Sequence, residues 1–216
     1  MAPRRPLGRL HVLTDFVFQQ RYGHAELARR LIAGGADVVQ FRQKHGGVRA
    51  VLHEARRTAA VCRDAGIPLL IDDFVDVALA VGAAGVHLGQ DDFPVAEARR
   101  LLGADALIGA TATTAAQARE AEAAGADYIG FGPVFETRSK ANPAPVKGLA
   151  GLGAVCKAVR VPVIAIAGIT PERVAPVLAA GAYGIAVMTA ITTAPDPEAA
   201  TRRFRRALDG GARKTL

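Results

Sequence analysis

The sequence has no tryptophan, and aromatic residues make up only 5% of its 216 residues. Surfaces that stack on nucleic-acid bases or sugars need aromatic side chains, so this composition argues against such a surface. No apolar run approaches the roughly 20 residues that a membrane span requires. The first nine residues show no apolar segment typical of a secretory signal, and we expect a cytoplasmic protein without a membrane partner.

Cysteine is also scarce. Cys62 and Cys156 are far apart, and each lies in an apolar stretch with a helical pattern. Two isolated cysteines form neither a disulfide framework nor a zinc site, so we expect structural thiols.

The formal net charge of +7 is concentrated at the two ends of the chain. A nucleic-acid groove would need basic residues spread over a folded face. We therefore predict no nucleic-acid partner. The expected organisation is a basic N-terminal extension over residues 1–9, one domain over 10–209 and a basic tail over 210–216.

The main positive signal is a repeat in which small residues end a helical pattern and a short apolar run follows. Gly34-Gly35-Ala36-Asp37 precedes such a run, and similar segments recur at 82–85, 125–127 and 181–184. This order is typical of a helix-to-strand connection. The eight predicted strands cover residues 10–13, 38–41, 68–71, 86–88, 107–110, 128–131, 161–166 and 185–188. The predicted helices cover residues 24–34, 47–65, 75–81, 94–102, 114–124, 149–158, 171–180 and 197–209.

Regular alternation of strand and helix indicates an α/β fold with a parallel sheet. Eight such units in a single domain favour a closed (β/α)8 TIM barrel. A doubly wound open sheet is the alternative, but no glycine-rich fingerprint follows the first strand.

Barrels of this kind place their chemistry at the C-terminal ends of the strands. After the second strand, alternation points Gln40, Arg42 and Lys44 the same way. Arg138 and Lys140 lie in the long loop after the sixth strand. These four cations suit phosphate groups.

Two acidic pairs follow the third and fourth strands, Asp72-Asp73 and Asp91-Asp92. Mg²⁺ binds one or two carboxylates together with waters and phosphate oxygens. Cations and carboxylates on one rim therefore suit a metal-bound pyrophosphate. The alternative is that the acidic residues cap the helices that begin near Val75 and Pro94.

A second anion site is indicated after the seventh strand by Gly168-Ile169-Thr170, beside Met188-Thr189 after the eighth. The alternative is an ordinary helix start with Thr170 as N-cap and Pro171 in the first position. For His87 we predict a hydrogen-bonded structural role rather than that of a ligand or a base.

Several motifs together make the chain resemble the thiamine-phosphate synthase family, also called thiamine-phosphate pyrophosphorylase. The resemblance extends from about Leu10 to Leu208. The motifs that carry it are Gln40-Phe41-Arg42-Gln43-Lys44, Val86-His87-Leu88-Gly89-Gln90-Asp91-Asp92, Gly130-Phe131-Gly132-Pro133-Val134-Phe135, Thr137-Arg138-Ser139-Lys140 and Gly168-Ile169-Thr170.

The resemblance implies that hydroxymethylpyrimidine diphosphate loses pyrophosphate while the ring nitrogen of a thiazole phosphate attacks the methylene carbon. It implies Mg²⁺ as the cofactor, and two small molecules as the binding partners. No nucleophilic side chain is required. Whether copies of the chain form a homo-oligomer stays open.

The resemblance also implies roles for individual residues. Asp73 and Asp92 would bind the metal. The residues that would hold the pyrimidine diphosphate are Gln40, Phe41, Arg42, Gln43, Lys44, Asp72, Thr111 and Lys140, of which Arg42, Lys44 and Lys140 would be catalytic. The residues that would hold the thiazole phosphate are Thr137, Arg138, Ser139, Gly168, Met188 and Thr189.

The chain departs from the family pattern at three positions. Asp72 replaces a usual asparagine, Thr113 replaces a usual histidine, and Ala167 replaces a usual glycine. Two alternatives stay open. One is an isomerase similar to the thiazole tautomerase, against which Thr113 argues because that enzyme's catalytic histidine would stand at this position. The other is a catalytically silent paralogue that binds thiamine phosphates, which Asp72 suggests because its added negative charge would weaken the binding of a diphosphate.

Overall fold

Eight short strands alternate with helices along the part of the chain that the computed structural model describes, residues 7–137, 139 and 145–212. The strands are β1 Leu10–Thr14, β2 Val38–Phe41, β3 Leu69–Asp72, β4 Gly85–Leu88, β5 Leu107–Ala112, β6 Tyr128–Phe131, β7 Val163–Ile166 and β8 Gly184–Val187. The helices are α1 His24–Ala33, α2 Val48–Asp64, α3 Val75–Val81, α4 Val95–Leu102, α5 Ala115–Ala123, α6 Gly148–Ala158, α7 Val174–Ala179, α8 Thr189–Thr192 and α9 Pro197–Ala212.

The strands form one closed barrel in chain order. β1 pairs in parallel with β2 and also with β8, where Leu10 lies opposite Ile185. The predicted (β/α)8 barrel is confirmed, and the open-sheet alternative is wrong. Because every pair is parallel, the carboxyl ends of all eight strands meet at one rim.

Two aspartates of the repeat join neighbouring elements at the opposite end of the barrel. The Asp37 carboxylate accepts hydrogen bonds from the Arg9 and Leu10 amides, both at 2.8 Å, and from Arg205 of α9 at 2.8 Å. Asp127 likewise accepts from the Ile108 amide at 2.8 Å. Each carboxylate therefore ties the start of its own strand to the start of the preceding one.

The ends of some elements differ from the prediction. The helix predicted over 171–180 opens as a 3-10 turn, Pro171–Arg173, with Thr170 as N-cap, before α7 begins. The four-residue α8 was not predicted. The last helix continues to Ala212, beyond the expected end at 209, so the basic tail expected over 210–216 starts inside α9.

Apolar residues fill two layers. One layer lies inside the barrel and includes Leu13, Leu70 and Ile164, and the other lies between strands and helices. Cys62 is buried in the outer layer and Cys156 is half-buried, and both are free thiols. Burial raises the pKa of Cys62 to about 12, as for an inert structural thiol. Within the described residues, no helix has the length and hydropathy to span a membrane.

Gly85, at the start of β4, provides a test of the barrel closure. A Cβ there would lie 1.8 Å from the Leu107 carbonyl oxygen of β5, so G85A must push two strands apart. We expect it to lower the free energy of unfolding by about 3 kcal/mol in urea denaturation. G47A is the control, because no heavy atom lies within 4 Å of the added Cβ and φ is −72°. Equal losses in the two variants would contradict the close strand contact.

Candidate active site

Arg42, just beyond β2, forms an ion pair with Asp15, which follows β1. The second oxygen of Asp15 accepts hydrogen bonds from the Val17 amide at 2.7 Å and the Phe18 amide at 3.2 Å. Asp15 is almost fully buried and is therefore a fixed anchor for Arg42. A guanidinium has five N–H donors, so this pairing leaves donors for an anion at the rim.

Lys44 forms an ion pair with Asp73, the first residue after β3. Asp73 has a φ of +71°, which is uncommon for a residue with a side chain, and its amide donates to the His87 carbonyl at 3.0 Å. Backbone strain of this kind is found preferentially at functional sites. The unusual backbone here belongs to one of the predicted metal ligands.

The Asp92 carboxylate lies close to Asp73. Burial raises the pKa of Asp73, and Asp92 raises it further, while Lys44 opposes the shift. Asp92 Oδ2 accepts from the Gly89 amide at 2.6 Å, and a Cβ on Gly89 would lie only 2.6 Å from that oxygen. Glycine at 89 therefore gives the carboxylate room to approach the loop.

These acidic residues do not cap helices. The N-cap positions of α3 and α4 are Phe74 and Pro94, and neither helix has a side-chain cap at its N-terminus. The described part of the chain contains no group of three or more histidine, cysteine or acidic residues that could hold a metal. A pair of carboxylates still fits Mg²⁺, which completes its shell with water and phosphate oxygens.

Asp72, the last residue of β3, is 6% exposed, and its Oδ1 is buried without a hydrogen-bond partner in the described structure. Burial raises the pKa of Asp72 well above its usual range. Asp73 adds to this rise, while Arg42 and Lys44 oppose it. The site therefore favours the protonated, neutral form of this carboxyl.

Gln40 and Thr111 belong to a polar chain inside the barrel. Gln40 donates to His11 Nδ1 at 3.0 Å, and Thr111 Oγ1 lies 2.9 Å from His87 Nε2. His87 Nδ1 is 2.9 Å from the Tyr128 hydroxyl, so the predicted hydrogen-bonded role of this histidine is confirmed. Burial lowers the pKa values of His11 and His87 to about 4.

Two of the residues predicted to hold the pyrimidine diphosphate make other contacts in this structure. Phe41 is 1% exposed and packs in the outer layer, with its ring centroid 4.4 Å from that of His24. Alternation along β2 turns its side chain away from the interior that Gln40 enters. Gln43 donates to the His45 carbonyl at 3.1 Å within its own loop.

A second group of polar residues lies at the ends of β6, β7 and β8. Ser139 Oγ is 2.7 Å from Thr189 Oγ1 and 3.2 Å from Thr137 Oγ1, so the three predicted hydroxyls come together. Met188 immediately precedes α8. Arg138 and Lys140 lie outside the described residues.

Gly168 and Ala167 connect this group to β7. Both have positive φ, +65° at Gly168 and +81° at Ala167. A Cβ on Gly168 would lie 2.4 Å from the Glu136 carbonyl oxygen, so the loop after β6 needs glycine there. The Phe135 amide donates to the Ala167 carbonyl at 3.2 Å, which ties that loop to the end of β7.

Sequence reasoning assigned no role to Asp15 or Tyr128. Asp15 directly follows β1, and an acidic residue at a strand end could have indicated the partner of Arg42. Tyr128 faces Gly109 across the β5–β6 pair, and a Cβ on Gly109 would lie 2.1 Å from the tyrosine ring. Glycine inside a strand marks a close approach by another group.

Thr113 forms hydrogen bonds within its own segment of the chain. Its amide and hydroxyl both donate to Gln117 Oε1, at 2.8 and 3.0 Å. Thr114 caps α5 by accepting from the Gln117 amide at 3.2 Å. The position where the family usually has histidine therefore serves the start of a helix.

Replacing Asp72 with asparagine tests the raised pKa. In the unfolded chain an aspartate ionises near pH 3.9, whereas in the folded protein Asp72 keeps its proton to a higher pH. The free energy of unfolding therefore falls as the pH rises from about 3.9 to the pKa of Asp72 in the folded protein. In chelator-containing buffer, D72N should therefore be more stable than the parent at pH 8, by about 1 kcal/mol or more, with little difference at pH 4. Urea unfolding at both values measures this. Asp105 is exposed, so the control D105N should show no pH-dependent gain in stability. The absence of such a gain in D72N would show that the carboxyl of Asp72 ionises in its usual range.

Ala167 tests the cost of its backbone conformation. The left-handed region costs a residue with a Cβ roughly 1–2 kcal/mol, and glycine avoids that cost but loses more entropy on folding. We expect A167G to stabilise the fold by about 0.5 kcal/mol in thermal or urea unfolding. A104G, at an exposed turn residue without positive φ, should instead destabilise it. A loss of stability in A167G would show that the conformation carries no strain.

Comparison with known proteins identifies the family of this chain. The family model for thiamine monophosphate synthase matches residues 12–191. The chain is 60% identical to the thiamine-phosphate synthase of Salinibacter ruber over 97% of this chain and 92% of the relative, and 46% identical to that of Chloroflexus aurantiacus over 91% of each. A solved thiamine phosphate pyrophosphorylase from Pyrococcus furiosus superposes with a TM-score of 0.85 at 36% identity, covering 94% of this chain and 96% of that one. The chain therefore belongs to the thiamine monophosphate synthase family, whose members are transferases.

Proposed function

We propose that the protein joins hydroxymethylpyrimidine diphosphate to thiazole phosphate, giving thiamine phosphate and pyrophosphate. The observation that carries the proposal is the alternation of charge at one rim, where Arg42 pairs with Asp15 and Lys44 pairs with Asp73 beside Asp92. Such a rim can bind a diphosphate and a divalent cation together. Family membership supports the same activity.

The reaction needs one bond to break and one to form. The bond between the methylene carbon and the diphosphate oxygen breaks, and its electron pair leaves with pyrophosphate. The lone pair of the thiazole nitrogen then forms the new carbon–nitrogen bond. No proton has to be removed, which agrees with histidines whose pKa values of about 4 keep them neutral in the barrel interior.

The work of the protein is therefore to stabilise the leaving group. Arg42 and Lys44 would neutralise charge on the diphosphate, and Lys44 would exchange its contact with Asp73 for one with a phosphate oxygen. Asp73 and Asp92 would hold Mg²⁺, which supplies further neutralisation of the departing oxygens when bound. Lys140 keeps its predicted catalytic role as part of the proposal.

The second substrate, thiazole phosphate, would bind at the cluster of three hydroxyl side chains, Thr137, Ser139 and Thr189. Hydroxyls can donate to phosphate oxygens, and Ser139 Oγ lies 3.2 Å from Thr137 Oγ1 and 2.7 Å from Thr189 Oγ1. Gly168 and Met188 border it, and Arg138 belongs to the same predicted set. A cytoplasmic location and the lack of nucleic-acid and membrane partners stay predictions.

Pyrophosphate release tests the activity directly. With hydroxymethylpyrimidine diphosphate, release should require both thiazole phosphate and Mg²⁺ and should stop in excess chelator. D73N and D92N should each lower kcat/KM about 100-fold, because each removes a charged metal ligand. D64N, an exposed acidic residue at the end of α2, is the matched control and should retain full activity.

Other outcomes would identify the alternatives. Activity that survives in chelator would contradict the role of the metal. Conversion of a thiazole tautomer without any diphosphate substrate would favour the isomerase, although the engaged Thr113 argues against it. Binding of thiamine phosphate without release of pyrophosphate would identify a silent paralogue.

A further inference from the structure

Five polar side chains form a continuous hydrogen-bonded chain through the barrel interior. It starts at the Leu7 carbonyl, 3.1 Å from His11 Nε2, and continues from His11 Nδ1 to Gln40 at 3.0 Å. Gln40 Nε2 is 3.3 Å from the Tyr128 hydroxyl. The chain ends with His87 and Thr111, whose contacts are both 2.9 Å. We name these five side chains, His11, Gln40, Tyr128, His87 and Thr111, the interior chain.

The direction of the hydrogen bonds is set at the Leu7 end. A carbonyl oxygen only accepts, so His11 Nε2 carries a proton and donates to it. His11 is buried and neutral, with a pKa lowered to about 4, so its Nδ1 is a bare acceptor. The group that meets Nδ1 must therefore be the amide nitrogen of Gln40, which donates.

The same reasoning passes through Tyr128. Gln40 donates its second amide proton to the tyrosine oxygen. The single hydroxyl proton of Tyr128 then needs an acceptor, because the residue is 0% exposed and an unpaired buried proton is costly. Within the described structure that acceptor is His87 Nδ1.

His87 consequently carries its proton on Nε2 and donates it to Thr111 Oγ1. The Thr111 hydroxyl accepts this bond, so its own proton is free, and no other described side chain accepts it. Phosphate oxygens only accept hydrogen bonds. If Thr111 donated its proton to His87, only oxygen lone pairs would be left to face an anion, and they would repel it.

The fold makes room for this arrangement with two glycines. A Cβ on Gly109 would lie 2.1 Å from the Tyr128 ring, and one on Gly130 would lie 2.7 Å from His87 Cε1. Both glycines lie in strands, where a missing side chain weakens packing unless another group uses the space. Here the two rings use it.

We propose that the interior chain holds Thr111 as a hydrogen-bond donor to the diphosphate anion, with His87 and Tyr128 acting as positioning residues. The proposal deepens the proposed function and rests on it for the identity of the anion. The direction of the chain follows from the protein alone, so it is tested without substrate.

The first test is the tautomer of His87 in the full-length protein. Nitrogen-15 NMR of histidine-labelled protein distinguishes a protonated ring nitrogen from a bare one, and loss of a signal in H87N assigns it. We expect His87 with a protonated Nε2 and a bare Nδ1, and the same state for His11. In Y128F, where the donor to Nδ1 is gone, a population of the opposite His87 tautomer should appear while His11 stays unchanged. A protonated Nδ1 in the parent protein, or no change in Y128F, would overturn the proposal.

The second test measures the binding of inorganic pyrophosphate with Mg²⁺ by calorimetry. T111V and Y128F should each weaken binding about tenfold. T111V removes the hydrogen bond to the anion, whereas Y128F frees His87 Nδ1 to carry the proton, so that Thr111 donates to His87 and no longer to the anion. The double variant should be no weaker than T111V alone, and T111S should restore binding. Additive losses would show that Tyr128 does not act through Thr111. Absence of pyrophosphate binding in the parent would overturn the role of Thr111 and the proposed function, whereas the NMR result would still decide the direction of the interior chain.

Discussion

Closure of eight parallel strands is the constraint on which the other features of this protein depend. Pairing of β1 with β8 leaves no strand edge free and brings every carboxyl end to one rim. The repeat supports this closure, because the carboxylates of Asp37 and Asp127 accept hydrogen bonds from backbone amides at the start of the preceding strands. The opposite rim is thereby left for side chains that bind ligands.

At that rim, opposite charges hold each other in place before any substrate arrives. Asp15 pairs with Arg42, and Lys44 pairs with Asp73 beside Asp92. In the reaction that we propose, a cation would replace Lys44 at Asp73 while Lys44 turned to the diphosphate, so the local charge would stay close to balance. The strained backbone of Asp73 agrees with a position selected for chemistry rather than for stability.

The interior of the barrel is not purely apolar, and its polar residues are connected to the rim. Tyr128 and His87 occupy space cleared by Gly109 and Gly130, and their hydrogen bonds reach Thr111 at the end of β5. An interior layer of this kind gives up some apolar packing. In return, by our proposal, it orients the Thr111 hydroxyl towards the anion.

Much of the fold could be predicted from the sequence. Hydrophobic periodicity and the small residues between elements predicted eight strand–helix units, and the residues after the strands predicted that Arg42, Lys44 and Asp73 share a rim, because parallel strands in a closed barrel end together. The grouping of Thr137 and Ser139 with Thr189 followed from the family resemblance and not from the strand pattern. It could not show that Phe41 turns outward while Gln40 joins a chain through His11 and Tyr128, because those contacts join strands far apart in sequence. The sequence also could not show that Arg42 pairs with Asp15 or that the carboxyl of Asp72 is buried. Those depend on distances and burial across the barrel, which are fixed only when the eight strands close.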